Sequence, residues 1–220
     1  MRAIEAELLV NAELNREVIK RRLAEARESV WISTANVKAM LIELNGRFRP
    51  VVDLFAELSA RGVALRLLHA ELPSRPFRDA FDRQSLLVRG GLELKICPRV
   101  HFKAVIVDGA WVYLGSANLT GAGLGARDEH RRNFEVGFVT EDFESIDRIT
   151  ALFEAVWSGA ECGACKLREI CPDPIGPIGP IGPIGPAAPR ATRAQRAKRD
   201  KKGEGLVQLG RARRIRLPGR

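Results

Sequence analysis

HFKAVIVDGAWVYLGSANLT, residues 101–120, carries most of the information in this chain. His101 and Lys103 are two apart on an expected strand, so both side chains leave the same face. Asp108-Gly109 separates two apolar runs, the strongest short-range signal for a hairpin. With a two-residue turn there, Val107 faces Ala110 and His101 falls opposite Ser116. A shift of one residue puts it opposite Asn118 instead. In either register the hairpin gathers an imidazole, an ammonium, a hydroxyl and a carboxamide. Such a set can attack and hold a phosphate, with one nucleophile or proton carrier, one cation and neutral donors.

Outward from this hairpin, strands and helices interleave. Residues 3–28 read as an amphipathic helix with Ile4, Leu8, Ala12, Ile19 and Leu23 on one stripe. SVWISTA, 29–35, suits a buried strand. Pro50 opens a helix whose buried face is Val51, Leu54, Phe55 and Leu58, and Gly62 stops it. A strand at 63–68, a short helix at 77–87, a Gly90-Gly91 turn and a strand at 92–97 lead to the hairpin strands, 102–107 and 111–114. A Gly-rich charged loop at 119–132 and a strand at 134–139 follow. Ile146, Ile149, Phe153, Val156 and Trp157 recur at helical spacing over 143–158. The expected fold class is α/β, one mixed β-sheet flanked by helices.

The chain has 220 residues and a formal charge of +9, unevenly placed. Of its 36 Lys and Arg and 27 Asp and Glu, 12 and 2 lie at 190–220, leaving 24 and 25 before them. A near-neutral body thus precedes a strongly basic tail. Such asymmetry suits a polyanion, either nucleic acid or an anionic membrane surface, or else a solvated tail with no specific partner. Four Pro-Ile-Gly triplets and a last Pro span 174–186, too few for a collagen helix, and read as an extended linker. The expected organisation is a catalytic domain at 1–160, a cysteine-rich metal-binding segment at 161–172, the repeat linker at 173–189 and a disordered basic tail at 190–220. No apolar run is long enough to cross a bilayer. The first ten residues carry three charges and read as the start of a helix, not a signal peptide, so a cytoplasmic location is expected.

His101, Lys103, Asp108, Gly115, Ser116 and Asn118 match H-x-K-x4-D-x6-G-S-x-N with every spacing intact, and so resemble the signature of the phospholipase D superfamily. The G-S-x-N ending is similar to the short bacterial nuclease branch. Arg61-Gly62-Val63 resembles that family's first helix-to-strand turn, and Asn133-Phe134-Glu135 its downstream N-x-E. About residues 25–158 fit the layout, although the loop between Asn118 and Asn133 looks longer than in the smallest members. Each residue alone has an ordinary explanation as a strand, turn or loop residue; all six together do not. The resemblance implies a phospholipase D-like fold and a two-step reaction through a phosphohistidine on His101. Lys103 and Asn118 would bind the non-bridging oxygens with Ser116 beside them. Glu135 would orient the His101 ring across the site, and Asp108 would serve behind the site as turn former and hydrogen-bond acceptor. The family uses two copies of the motif, but His69 and His130 lack the pattern, so the second copy implies a homodimer. Asn36 and Lys38 follow the first strand and read as a solvated loop beside the site.

Cys162-x2-Cys165-x5-Cys171 follows the last helix, and Cys97 lies four residues before His101. Four cysteines in a cytosolic chain favour a metal over disulfides. Structural zinc sites commonly pair two C-x2–4-C knuckles. This spacing is instead similar to the iron–sulfur staples of certain DNA-processing nucleases and helicases, so an iron–sulfur cluster is expected, with zinc as the alternative. Catalysis itself is expected to need no metal, since no paired carboxylates stand ready for magnesium. The leading function is a nuclease-type phosphodiesterase acting on DNA or RNA. The alternatives are a phospholipase D or phosphatidyl transferase, and a nucleic-acid-binding module without turnover.

Overall fold

A computed structural model describes residues 2–174. The expectations for the linker, apart from its first two residues, and for the basic tail lie outside these. Seven strands form one mixed sheet: β1 Glu7–Val10, β2 Ser29–Thr34, β5 Ala64–His69, β6 Glu93–Ile96, β7 Lys103–Val107, β8 Trp111–Gly115 and β9 Val136–Thr140. Their order is β1-β9-β8-β7-β2-β5-β6. β2, β5 and β6 run parallel and the other neighbours antiparallel. Two further strands, β3 Leu41–Leu44 and β4 Arg47–Pro50, form a separate hairpin.

Alternation along the strands sorts the core into two layers. Val30, Ile32, Leu65, Leu67, Val105, Val107, Trp111 and Tyr113 face helix α2 (Val51–Ala60) and helix α1, which begins at Ala12–Leu14 and continues with a wider winding through Asn15–Leu23. Leu68, Ile106 and Val112 face Ile146 and Phe153 of helix α4 (Phe143–Trp157) on the other side. Helix α2 buries Val51, Leu54, Phe55 and Leu58 as its spacing predicts, and Gly62 follows it at φ 84°, a conformation natural to glycine. Among the described residues no helix is long and apolar enough to cross a membrane.

Four elements differ from the sequence reading. The helix expected over 3–28 is a strand first: Glu7–Val10 pairs with β9, and Asn11 at φ 49° breaks the chain before α1 begins. Edge pairing outweighs the helical stripe there, and Ile4 and Leu8 stay exposed while Ile19 and Leu23 are buried. The β3–β4 hairpin was not anticipated, although Asn45-Gly46, both left-handed at φ 53° and 72°, is a strong turn signal. The helix expected at 77–87 is shorter, α3 Arg75–Asp82, with Pro76 in its first turn. The hairpin turn is also longer than two residues. Val107 pairs with Trp111, so Asp108, Gly109 and Ala110 all lie in the loop. Counting outward, His101 falls level with Ala117, between the two anticipated partners, and regular pairing ends at Lys103–Gly115.

Asp108 explains how this hairpin is held. Its carboxylate accepts hydrogen bonds from the backbone N–H groups of Arg27 (3.0 Å), Glu28 (2.8 Å) and Ser29 (2.9 Å), while its own N–H donates to Ser29 O at 2.8 Å. One carboxylate thereby joins the β7–β8 turn to the start of β2. Charge-assisted bonds of this kind are stronger than neutral ones. Asp108→Ala is expected to cost about 2 kcal/mol, read as a lower midpoint of urea unfolding. An unchanged midpoint would show that the clamp contributes nothing.

Candidate active site

Val100 and Phe102 pack into the layer against α4, which leaves the intervening His101 exposed on the other side of the chain. Lys103 enters β7 two residues later and is only 9% exposed. Its Nζ lies 3.5 Å from His101 Nδ1 and donates to the His101 carbonyl oxygen at 2.7 Å. Among the described residues no carboxylate pairs with it. A buried ammonium normally has an anionic partner, so this position is electrostatically prepared for one.

Asn118 meets the same region from the chain beyond β8. Its Oδ1 accepts from Thr34 Oγ1 (3.0 Å) and from the N–H groups of Ala35 (3.1 Å) and Asn36 (3.2 Å). Those donors settle which end of the amide is oxygen and leave Nδ2 as a donor with no partner among the described residues. Thr34 Oγ1 also accepts from Leu119 N–H at 3.1 Å, and Val37 bridges to Leu119. Asn36 takes part through its backbone, and Lys38 is exposed, in keeping with a loop beside the site.

Ser116 and Glu135 form a separate pair. The Ser116 hydroxyl bonds to the Glu135 carboxylate and accepts from Val136 N–H at 3.0 Å. Glu135 also accepts from Asn133 Nδ2 at 3.1 Å, and its N–H donates to Asn11 Oδ1 at 3.0 Å. Among the described residues of one chain Glu135 makes no hydrogen bond to His101. The ends of neighbouring strands β8 and β9 bring it to Ser116 first. Asp108 sits at the far end of the hairpin from His101, so it acts on the site only through the frame. His130 is exposed, and His69 is buried with its ring donating from Nδ1 to the Glu71 carbonyl. Burial pushes the His69 pKa down.

Tyr113, Gly137 and Thr34 escaped the sequence reading. Tyr113 is fully buried, and its hydroxyl accepts from Ala117 N–H at 3.1 Å, directly beneath the Ser116–Asn118 turn. Gly115 and Gly137 make room for that ring; a methyl on either would collide with it. Thr34 holds Asn118. A signal existed in the glycine of G-S-x-N, but only the packed sheet shows that its small size serves Tyr113.

Cys97, Cys162 and Cys165 line one cavity of about 330 Å³, and all four cysteines are free thiols. Cys171 is not among the residues around it. Among the described residues no three Cys, His, Asp or Glu side chains gather closely enough to share a metal ion. The four-cysteine site expected from spacing is therefore not assembled as such.

A family model described as cardiolipin synthase, PLD-like domain, matches residues 19–157. The fold is similar to that of Nuc, a phospholipase D family member from Salmonella typhimurium, at 17% identity and a TM-score of 0.50 over 70% of this chain and 95% of that one. It is similar also to NucT from Helicobacter pylori, at 16% identity and a TM-score of 0.52 over 71% and 97%. At such identities the likeness speaks of the fold. No curated protein matches the sequence.

Burial pushes the pKa of Tyr113 up to about 12, because the ionised phenolate would lose its hydration. An unfolded tyrosine ionises near 10. The folded state therefore keeps its proton where the unfolded state loses it, and the stability this gives is full below about pH 10 and lost towards pH 12. Tyr113 is the one tyrosine of the chain, so its titration is directly visible. Phenolate absorbance is expected to stay flat through pH 10 in the native protein and to rise near pH 10 in urea. An ordinary native titration would place the ring in solvent.

Proposed function

Since the chain belongs to the phospholipase D superfamily, we propose that it is a phosphodiesterase with His101 as nucleophile, acting on nucleic acid. The observation that carries this is the buried Lys103 ammonium, with no carboxylate partner among the described residues, beside an exposed imidazole. Together they form a half-site for an anionic phosphorus centre. In the proposed reaction a His101 ring nitrogen attacks phosphorus, and the bond to the leaving oxygen breaks. Lys103 and the free Nδ2 of Asn118 bind the non-bridging oxygens, where negative charge must be held in the transition state. A second histidine protonates the leaving oxygen, then takes a proton from the water that splits the phosphohistidine. Covalent capture divides one difficult displacement into two easier ones.

The second histidine is proposed to be His101 of another copy of the chain. The remaining histidines support this: His69 is buried and bonded elsewhere, and His130 lies outside the hairpin. The outer row of β1, β9 and β8 leaves Leu8, Val10, Leu114, Val136 and Phe138 between 43% and 54% exposed beside Ser116. A contiguous apolar face of that kind favours association.

The openness of His101 supports a polymer lying across the site, and the 12 basic against 2 acidic residues at 190–220 support a polyanion. A phospholipid reading also has an observation in its favour, the cardiolipin synthase description of the matching family model. Single-stranded DNA, duplex DNA, RNA and phosphatidylcholine vesicles, incubated in parallel, separate the two. Cleavage of nucleic acid with intact lipid is expected; the reverse would select the phosphatidyl reaction. His101→Asn is expected to abolish hydrolysis of bis-p-nitrophenyl phosphate while leaving the circular dichroism spectrum unchanged. Near-normal turnover would sink the mechanism. Activity is expected to survive EDTA, because the nearby carboxylate of Glu135 is already engaged by Ser116 and Asn133. Strict dependence on added magnesium would contradict the proposed chemistry.

A further inference from the structure

The loop between Asn118 and Asn133 takes no part in the proposed reaction, yet it is firmly held. Leu124 N–H donates to the Asn118 carbonyl at 3.3 Å, and Ala126 N–H donates to Leu41 O of β3 at 2.9 Å. The buried side chain of Asn15, in α1, donates to Leu124 O at 2.7 Å. Arg132 closes the loop by donating to Gly125 O at 2.7 Å. Loop, α1 and the β3–β4 hairpin thereby enclose a groove of about 340 Å³.

Charge is unevenly matched in this groove. Arg16, Lys20, Arg127 and Arg132 line it against Glu43 and Glu129. Lys20 holds Glu43 at 2.6 Å, and Glu129 acts on Arg132. Two cations are left over. Arg16 is 69% exposed and reaches Glu13 only at 4.0 Å. Arg127 is exposed and has no ion pair among the described residues. Gly121 lies beneath it, where an added methyl would stand 3.7 Å from the Arg127 Nε. Phe48 of β4 also lines the groove and is 63% exposed. The groove is continuous with the candidate site. Lys38 N–H donates to Leu119 O at 3.0 Å, so the chain from Lys38 to Leu41 runs beside the loop from Leu119 to Ala126. Lys38 itself is exposed next to Asn118.

We propose that this groove binds single-stranded nucleic acid leaving the site at His101, with Arg16 and Arg127 on phosphates and Phe48 stacked on a base. The proposal rests on the reading of the chain as a phosphodiesterase acting on nucleic acid. Unpaired cations along a groove follow a phosphate backbone whatever its sequence. An exposed aromatic ring beside them takes a base, because every base has a flat face. A duplex keeps its bases paired and stacked, so it offers no free face to Phe48. The groove therefore selects single strands, and it adds affinity for a long substrate without touching the reacting atoms.

The test compares full-length chains, so the charge at 190–220 is common to all of them. Binding is measured in a His101→Asn background, which keeps the probe intact. The probes are fluorescent single strands of DNA and of RNA, about 12 nucleotides long, and the matching DNA duplex. Phe48→Ala is expected to weaken single-strand binding about tenfold. Arg127→Ala is expected to lower the slope of log affinity against log salt by about 0.7, the share of one phosphate contact. Arg148→Ala removes the same charge from an exposed position on α4 and is expected to leave both readings unchanged. With His101 intact, Phe48→Ala and Arg127→Ala should hydrolyse bis-p-nitrophenyl phosphate as the wild-type chain does. Single-strand binding that is absent from the background chain, or unaltered by both groove variants, would overturn the proposal. So would an equal loss in Arg148→Ala, which would assign the affinity to overall charge. Duplex binding weakened by Phe48→Ala as much as single-strand binding would overturn it too. A wild-type chain inert towards the small diester would refute the proposed reaction, while the groove would still be judged by binding. Should one groove variant fail to fold, the other decides alone.

Discussion

The β7–β8 hairpin is clamped to β2 at both ends by side chains that bind backbone. At one end the Asp108 carboxylate takes the N–H groups at 27–29. At the other the Asn118 carboxamide oxygen takes those of Ala35 and Asn36, together with the Thr34 hydroxyl. Between them lies the antiparallel ladder from Val30–Val107 to Ser33–Ala104. The hairpin therefore has a fixed register against the strand beside it. A shift of one residue would reverse every side chain and break both clamps. Whatever chemistry His101 and Lys103 perform depends on that registration.

The same arrangement gives two polar side chains double duty. Asn118 spends its oxygen on the frame and keeps its nitrogen for a ligand. Lys103 opens β7 with its backbone while its ammonium donates to the carbonyl of His101, so the ammonium is buried where it is satisfied once and available for more. Burying a cation has a cost that an anionic ligand offsets. The site is thus organised around a negative charge that no described residue supplies.

Tyr113 shows how the interior supports that surface. The phenol fills the space below the Ser116–Asn118 turn and binds its backbone at Ala117. The glycines on either side, Gly115 and Gly137, are small because the ring lies against them. Asn11, beyond β1, reaches the other side of the turn by accepting from Glu135 N–H. An edge strand far away in sequence is in this way part of the site's scaffold.

Local residue chemistry carried much of this. Asp108-Gly109 set the hairpin, Pro50 and Gly62 bounded α2, and the spacing from His101 to Asn118 marked the candidate site, since each depends on neighbours a few residues away. Asn45-Gly46 could have marked β3–β4 by the same rule. What the sequence could not decide were matters of partners distant along the chain. Glu7–Val10 became a strand because β9 offered an open edge, against its own helical stripe. Glu135 meets Ser116 because the adjacent ends of β8 and β9 bring the two together. Tyr113 entered the site through packing and its hydrogen bond from Ala117, and Thr34 through hydrogen bonds with Asn118 and Leu119, partners that neither local propensity nor periodicity could identify. Three thiols met at one cavity because β6 and the end of α4 lie side by side, a proximity that tertiary packing alone creates.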